Sequence, residues 1–158
     1  MRALFVMSLA LIVLVGCAAE PTRPQPILPT SPLVIDASHG PVRFTVELAA
    51  SSETQESGLM FRRTMAPDHG MLFDFHRPLY VSFWMKNTIL PLDMVFILSD
   101  GTVTGVAANA VPYSTKAILS DQPVRAVLEI NAGLGKALGI VPGSRVHHAI
   151  FGDPPSAP

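Results

Sequence analysis

Two carboxylates interrupt otherwise apolar runs of this chain: Asp93 in LDMVFIL and Glu129 in AVLEIN. Burial raises a carboxyl pKa, and a nearby cation or several N–H donors lower it, so each of these groups needs a partner or a function. Strand alternation over Leu92 to Leu98 puts Leu92, Met94, Phe96 and Leu98 on one face and Asp93, Val95 and Ile97 on the other. Lys86, across the Asn87-Thr88 turn region, is the nearest candidate cation for Asp93, and Arg62 is another. Two roles are open to Asp93: tying down the loop from Lys86 to Pro91, or standing in a ligand site. Glu129 shares a strand face with Val127. As a second carboxylate facing Asp93 it would complete the pair, set about 5 to 10 Å apart, that glycoside hydrolysis uses.

Trp84 is the only tryptophan and follows Phe83, so along a strand one ring points inward and the other outward. An outward Trp84 beside Lys86 and Asn87 would make a stacking platform for a sugar or aromatic ligand, and an inward one would be core packing. Asp74 and His76 project to one side of a strand, with His69 before them, and an oxygen and nitrogen cluster there is conceivable. No HExxH pair is present, the adjacent His147 and His148 point to opposite faces, and all five histidines read as surface residues. No metal or cofactor is expected. GxSxG, GxGxxG and Walker loops are all missing, so neither a serine triad nor a nucleotide cradle is indicated.

The elements that must position these groups follow from composition. Hydrophobic residues make up 49% of the 158 and charged ones 15%, which describes a globular domain with an apolar bias. Fifteen prolines and 11 glycines between short apolar runs imply many turns and a β-rich body. Strands are expected at 34–37, 42–48, 71–75, 80–85, 92–98, 103–107, 124–130 and 145–151. The first two form a hairpin around Ser38-His39-Gly40-Pro41. Ser51 or Ser52 caps a helix reaching Arg62, and Asn131 caps a second, through Leu138, closed by Gly139. The fold class is mainly β with two short helices (α+β), closed or nearly closed into a compact barrel-like domain over 33–152. Residues 153–158 read as a disordered tail.

Ahead of that body, Met1-Arg2 opens an apolar run from Ala3 to Val15 broken only by Ser8. At about 1.5 Å per helical residue the run reaches about 20 Å, short of the roughly 30 Å hydrocarbon core, so residues 1–16 read as a signal peptide. The LVGC that ends at Cys17 resembles the lipobox of bacterial lipoproteins, which implies cleavage before Cys17 and a diacylglycerol thioether on its sulfur. Two or more acyl chains make a stable anchor. The thioether would remove the one strong nucleophile of the chain. Residues 17–32, with prolines at 21, 24, 26, 29 and 32, read as a lipidated, semi-rigid tether. Ala18 after the cysteine favours the outer over the inner membrane, facing the periplasm. The net charge of −1 falls to −2 when Arg2 leaves with the signal, and offers no footprint for nucleic acid.

Five segments carry a second resemblance: GLMFRRTM (58–65), GMLFDF (70–75), FWMKNTILPLDMVFI (83–97), AVLEINAG (126–133) and GIVPGSRV (139–146). Together they resemble a family known as domain of unknown function family 192. The resemblance implies a compact β-barrel-like fold and brings no established activity, substrate or cofactor. The expectation is therefore a monomeric, lipid-anchored envelope protein. It would serve as a non-catalytic binding module for a small molecule, glycan or peptide at Arg62, Trp84, Lys86, Asn87, Asp93 and Glu129. The alternative is a small enzyme in which Asp93 or Glu129 is acid or base and Lys86 or Arg62 holds an anionic group.

Overall fold

A computed structural model of the chain describes residues 22–155; Cys17 and the expected signal peptide lie outside them. Nine strands and two short helices follow in order: β1 Thr30–Ala37, β2 Gly40–Ala49, α1 Ser52–Ser57, β3 His69–Leu79, β4 Ser82–Phe83, β5 Leu92–Ile97, β6 Val103–Ala110, β7 Ile118–Leu119, β8 Val124–Asn131, α2 Leu134–Leu138 and β9 Arg145–His147. Seven form one sheet in the order β6-β5-β8-β3-β2-β1-β9, while β4 and β7 pair separately. All neighbours in the large sheet are antiparallel except β2 and β3, which are joined by a crossover carrying α1. The sheet curls through 223° into a half-barrel. Mainly β with two short helices is thus the architecture, as the turn-rich composition implied.

The two edges of the curl meet. Thr102 bridges Arg145, Val103 N–H donates to Ser144 O at 2.9 Å, and Val146 N–H donates to Gly101 O at 2.8 Å. Such a seam protects edge strands that would otherwise offer unpaired backbone groups. Residues from both edges, among them Val103 and Val146, share one apolar cluster with Leu33, Ile35, Leu72, Val95, Leu128 and Ile130, so this cluster fills the concave side. The other face carries Met71, Phe73, Met85, Leu92, Met94, Phe96 and Val127. Both faces of β5 are consequently dry, and all six of its residues are buried.

Several boundaries differ from the sequence reading. α1 starts as expected, with Ser51 Oγ accepting from Thr54 N–H and Thr54 Oγ1 accepting from Ser51 N–H, a reciprocal capping box. It stops at Ser57 because Gly58 turns the chain at φ +47°, four residues before Arg62. The strand expected over 80–85 is the short β4, paired with β7 across the outer face. α2 is capped by Gly133 in the left-handed region instead of by Asn131, whose side-chain amide donates to Met65 O and Ala66 O. The final strand ends at His147, where His148 Nδ1 accepts from Ile150 N–H and starts a 3-10 turn at 149–151. At the N-terminal side, β1 begins at Thr30, opposite Glu47, and the Gln25 amide donates to Gly58 O at 2.8 Å. Asp153, expected in a loose tail, bonds His147 Nδ1 at 2.8 Å.

Gly101 sits at the seam with φ +89°, and a Cβ there would overlap the Val146 carbonyl oxygen. Gly101→Ala should therefore cost about 2–4 kcal/mol through combined backbone strain and seam displacement. Urea unfolding of the variant checks this, and an unchanged midpoint would mean the edges do not need each other.

Candidate functional site

Asp93 and Glu129 come from adjacent strands but from opposite faces. In the β5–β8 register Asp93 stands opposite Ile130, and Met94 stands opposite Glu129. Directly opposed residues share a face, so Asp93 points with Ile130 into the concave core while Glu129 points outward with Met94. A facing carboxylate pair, one of the roles open to Glu129, is therefore ruled out by the pleat itself. Asp93 has no exposed surface; its Oδ1 accepts from Asn109 N–H at 2.8 Å and its Oδ2 from Gly135 N–H at 2.9 Å. It fastens β6 and the first turn of α2 to β5, and neither Lys86 nor Arg62 supplies its partner.

Arg62 is spent elsewhere. Its guanidinium grips Glu47 in a two-bond fork, Nη1 to Oε1 at 3.0 Å and Nη2 to Oε2 at 2.8 Å. Glu47 Oε2 also accepts from Leu28 N–H, which binds the segment before β1 to the sheet. Asn87, at φ +57°, accepts from Phe61 N–H through its carbonyl and sets its amide 3.9 Å from Met60 Sδ, so it shapes the loop around Met60. Asp74 is held by Arg125, Nε to Oδ1 at 2.8 Å, and also meets His76, whose backbone N–H donates to its Oδ1 at 2.8 Å and whose Nδ1 lies 3.3 Å from its Oδ2. Among the described residues no group of three or more His, Asp, Glu or Cys side chains is placed to hold a metal ion. Of the five histidines expected at the surface, His148 is buried, its Nε2 2.8 Å from Ser31 Oγ, and burial lowers its pKa. The pKa of His147 is raised by its bonds to Asp36 and Asp153.

Glu129 has a different environment. Its cross-strand neighbours are Met94 on β5 and Met71 on β3, both fully buried and neither a hydrogen-bond donor. No hydrogen bond reaches its carboxyl among the described residues. Only 5% of the residue is exposed, and desolvation pushes its pKa from the ordinary 4.5 up to about 8. That exposure opens on a pocket of about 400 Å³ between the outer sheet face, α1 and the 79–84 segment. Leu59, Met60, Phe73, Phe75, Phe83 and Trp84 form its apolar walls, and Gln55, Glu56, Ser82 and Thr88 add polar edges. Phe83 packs edge-on against Phe73 at 5.1 Å and Phe75 at 6.3 Å, which fixes the inner wall. Trp84, the outward ring of the pair, is 49% exposed and stands where the pocket meets solvent, with Lys86 Nζ 5.3 Å from its centroid.

Of the six polar and aromatic residues singled out from the sequence, the pocket unites Trp84 and Glu129, with Lys86 stacked on Trp84. Arg62, Asn87 and Asp93 do not line it. The residues missed were the phenylalanines and Leu59-Met60, which read as ordinary core. Their signal was present: GLMF, GMLFDF and FWM each end up as one wall.

A family model described only as uncharacterized, DUF192, matches residues 34–148. The chain belongs to the DUF192 family. This DUF192 chain is similar to two solved structures. One, a candidate transcription regulator from Sinorhizobium meliloti 1021, is 49% identical with a TM-score of 0.77, covering 80% of this chain and 98% of that one. Another, a protein of unknown function from Novosphingobium aromaticivorans DSM 12444, is 42% identical with a TM-score of 0.75, covering 82% and 94%. No curated protein matches the chain.

The two carboxylates of the DUF192 domain should respond oppositely to removal. Because the folded-state pKa of Glu129 is raised, its stabilising contribution is complete below about pH 4.5 and is lost as pH climbs to about 8. Glu129→Gln should raise stability at pH 7 by about 3 kcal/mol and change little at pH 4.5. Asp93→Ala strands two buried N–H groups and should cost about 3–5 kcal/mol at either pH. Thermal unfolding across pH 4.5–8.5 measures both, and an unaltered pH slope in Glu129→Gln would contradict a neutral, buried Glu129.

Proposed function

We propose that this protein is a lipid-anchored envelope protein that binds a small molecule with an apolar body in the Glu129 pocket and does not transform it. The observation that carries the reading is a buried carboxyl without a partner, set in the wall of an aromatic pocket of about 400 Å³. Leaving such a group unsatisfied costs stability, and a fold that needed only a core would do better with methionine there, as on both sides of it. A volume in the range of small-molecule sites, mostly apolar walls and one convergent polar group are the usual features of a ligand pocket. The Sinorhizobium meliloti relative is described as a candidate transcription regulator; the formal net charge of −1 here favours a ligand other than nucleic acid.

The anchor part of the proposal rests on LVGC at Cys17 and the short apolar run before it, with the domain facing the periplasm and the outer membrane favoured by Ala18. No helix among the described residues is long and apolar enough to cross a membrane.

A second reading has one observation behind it: a carboxyl that holds its proton up to about pH 8 is poised as a general acid. Among the described residues no hydrogen bond links it to another titratable group that could act as the complementary base, so binding ranks first.

Two measurements test the proposal. In a thermal-shift screen of amphipathic small molecules, a ligand at a hundred times its Kd should stabilise by about 2.7 kcal/mol. Ser82→Trp, which fills an exposed lining position, should abolish that shift. Labelled palmitate should enter the wild-type chain and not Cys17→Ala. Ligand shifts that survive the Ser82→Trp blockade would move the site elsewhere, and label in Cys17→Ala would remove the anchor.

A further inference from the structure

The pocket at Glu129 is chemically one-sided. Its two titratable lining groups are both acids, Glu129 inside and Glu56 at the exposed edge, and no lysine, arginine or histidine lines it. Phe73, Phe75, Phe83 and Trp84 line the same pocket as Glu129. Aromatic rings attract cations through their quadrupoles, most strongly where water is excluded, and tryptophan is the strongest of them. The Trp84 ring already has a cation over it: Lys86 Nζ lies 5.3 Å from the centroid.

Building on the ligand pocket proposed above, we infer that its ligand is an organic ammonium ion with an apolar body, the cation lodged among the aromatic rings against the Glu129 carboxyl. A neutral alcohol or ketone would gain one hydrogen bond from Glu129 and leave the aromatic electrostatics unused. An anion would meet two acids and, among the described lining residues, no cation, with Lys86 outside the lining over Trp84. An ammonium ion uses what the pocket offers: the Glu129 carboxyl, which releases its proton to solvent as the cation binds, the quadrupoles of the lining rings, and the apolar walls from Leu59 and Met60 for its hydrocarbon part. Neighbouring Met71 and Met94 supply neither a cation nor a donor, so a bound ammonium would compensate an ionised Glu129 where its strand neighbours do not.

The test uses the full chain and its single tryptophan as reporter. Three six-carbon probes of matched shape, hexylamine, hexan-1-ol and hexanoate, are titrated at pH 7 while Trp84 fluorescence is followed. Hexylamine should perturb Trp84 with an affinity at least ten-fold above that of hexan-1-ol, with hexanoate weakest. Glu129→Gln should erase the amine preference, and Glu56→Gln should leave most of it. Glu129→Met, which copies the flanking Met71 and Met94, provides the same comparison should the glutamine variant fail to fold. Hexan-1-ol binding as well as hexylamine, or an amine preference that persists without Glu129, would overturn the ammonium assignment while leaving the pocket as a ligand site. No response to any of the three probes would overturn both.

Discussion

A sheet wrapped far enough to bury both of its faces leaves no neutral ground for a charged side chain on its central strands. That constraint organises this molecule. The 223° curl closes the concave face on itself, and α1 with the β4–β7 flap covers the convex one, so β5 and β8 run through dry surroundings on either side. Every carboxyl placed there must find donors or give up its charge. Asp93 takes the first course, through backbone N–H groups, as Glu47 does on β2 through the fork with Arg62. Glu129 takes the second, its pKa pushed up to about 8 so that it keeps its proton at neutral pH.

This division separates structure from candidate function without reference to residue type. Asp93, Glu47 and Asp74 are saturated by donors from their own domain, and each joins parts distant in sequence: β5 to α2, β2 to the loop bearing Arg62, β3 to β8. Their energy is spent on assembly. Glu129 joins nothing, although it sits between strands as central as any. Its environment costs stability that the fold leaves unrecovered, which is the pattern expected where a site is kept for a ligand.

Much of the architecture was legible in the sequence. Alternation in LDMVFIL assigned each residue of β5 to its face correctly, because the period of two is a property of the pleat and needs no tertiary information. The hairpin at Ser38-His39 and the stop of α2 at Gly139 followed from local turn chemistry in the same way. Helix and strand ends failed where distant groups intervened. Gly58 turns under Phe73, and the Asn131 amide is taken by the carbonyls of Met65 and Ala66 before it can cap a helix.

Within the site, the sequence by itself determined that Asp93 and Glu129 were anomalous, since that depends only on their polarity within apolar runs; strand periodicity could not place Trp84, which lies just beyond β4 and lines the pocket together with Phe83. The sequence could not determine that the two carboxyls are on opposite faces, because the relative register of β5 and β8 is set by pairing across 28 intervening residues or more. Nor could it assign donors, since Gly135 and Asn109 reach Asp93, and Arg62 reaches Glu47, only after the barrel has curled. Tertiary structure alone decided which acid was left without a partner, because hydrogen-bond satisfaction is a property of three-dimensional neighbours and not of neighbours in the chain.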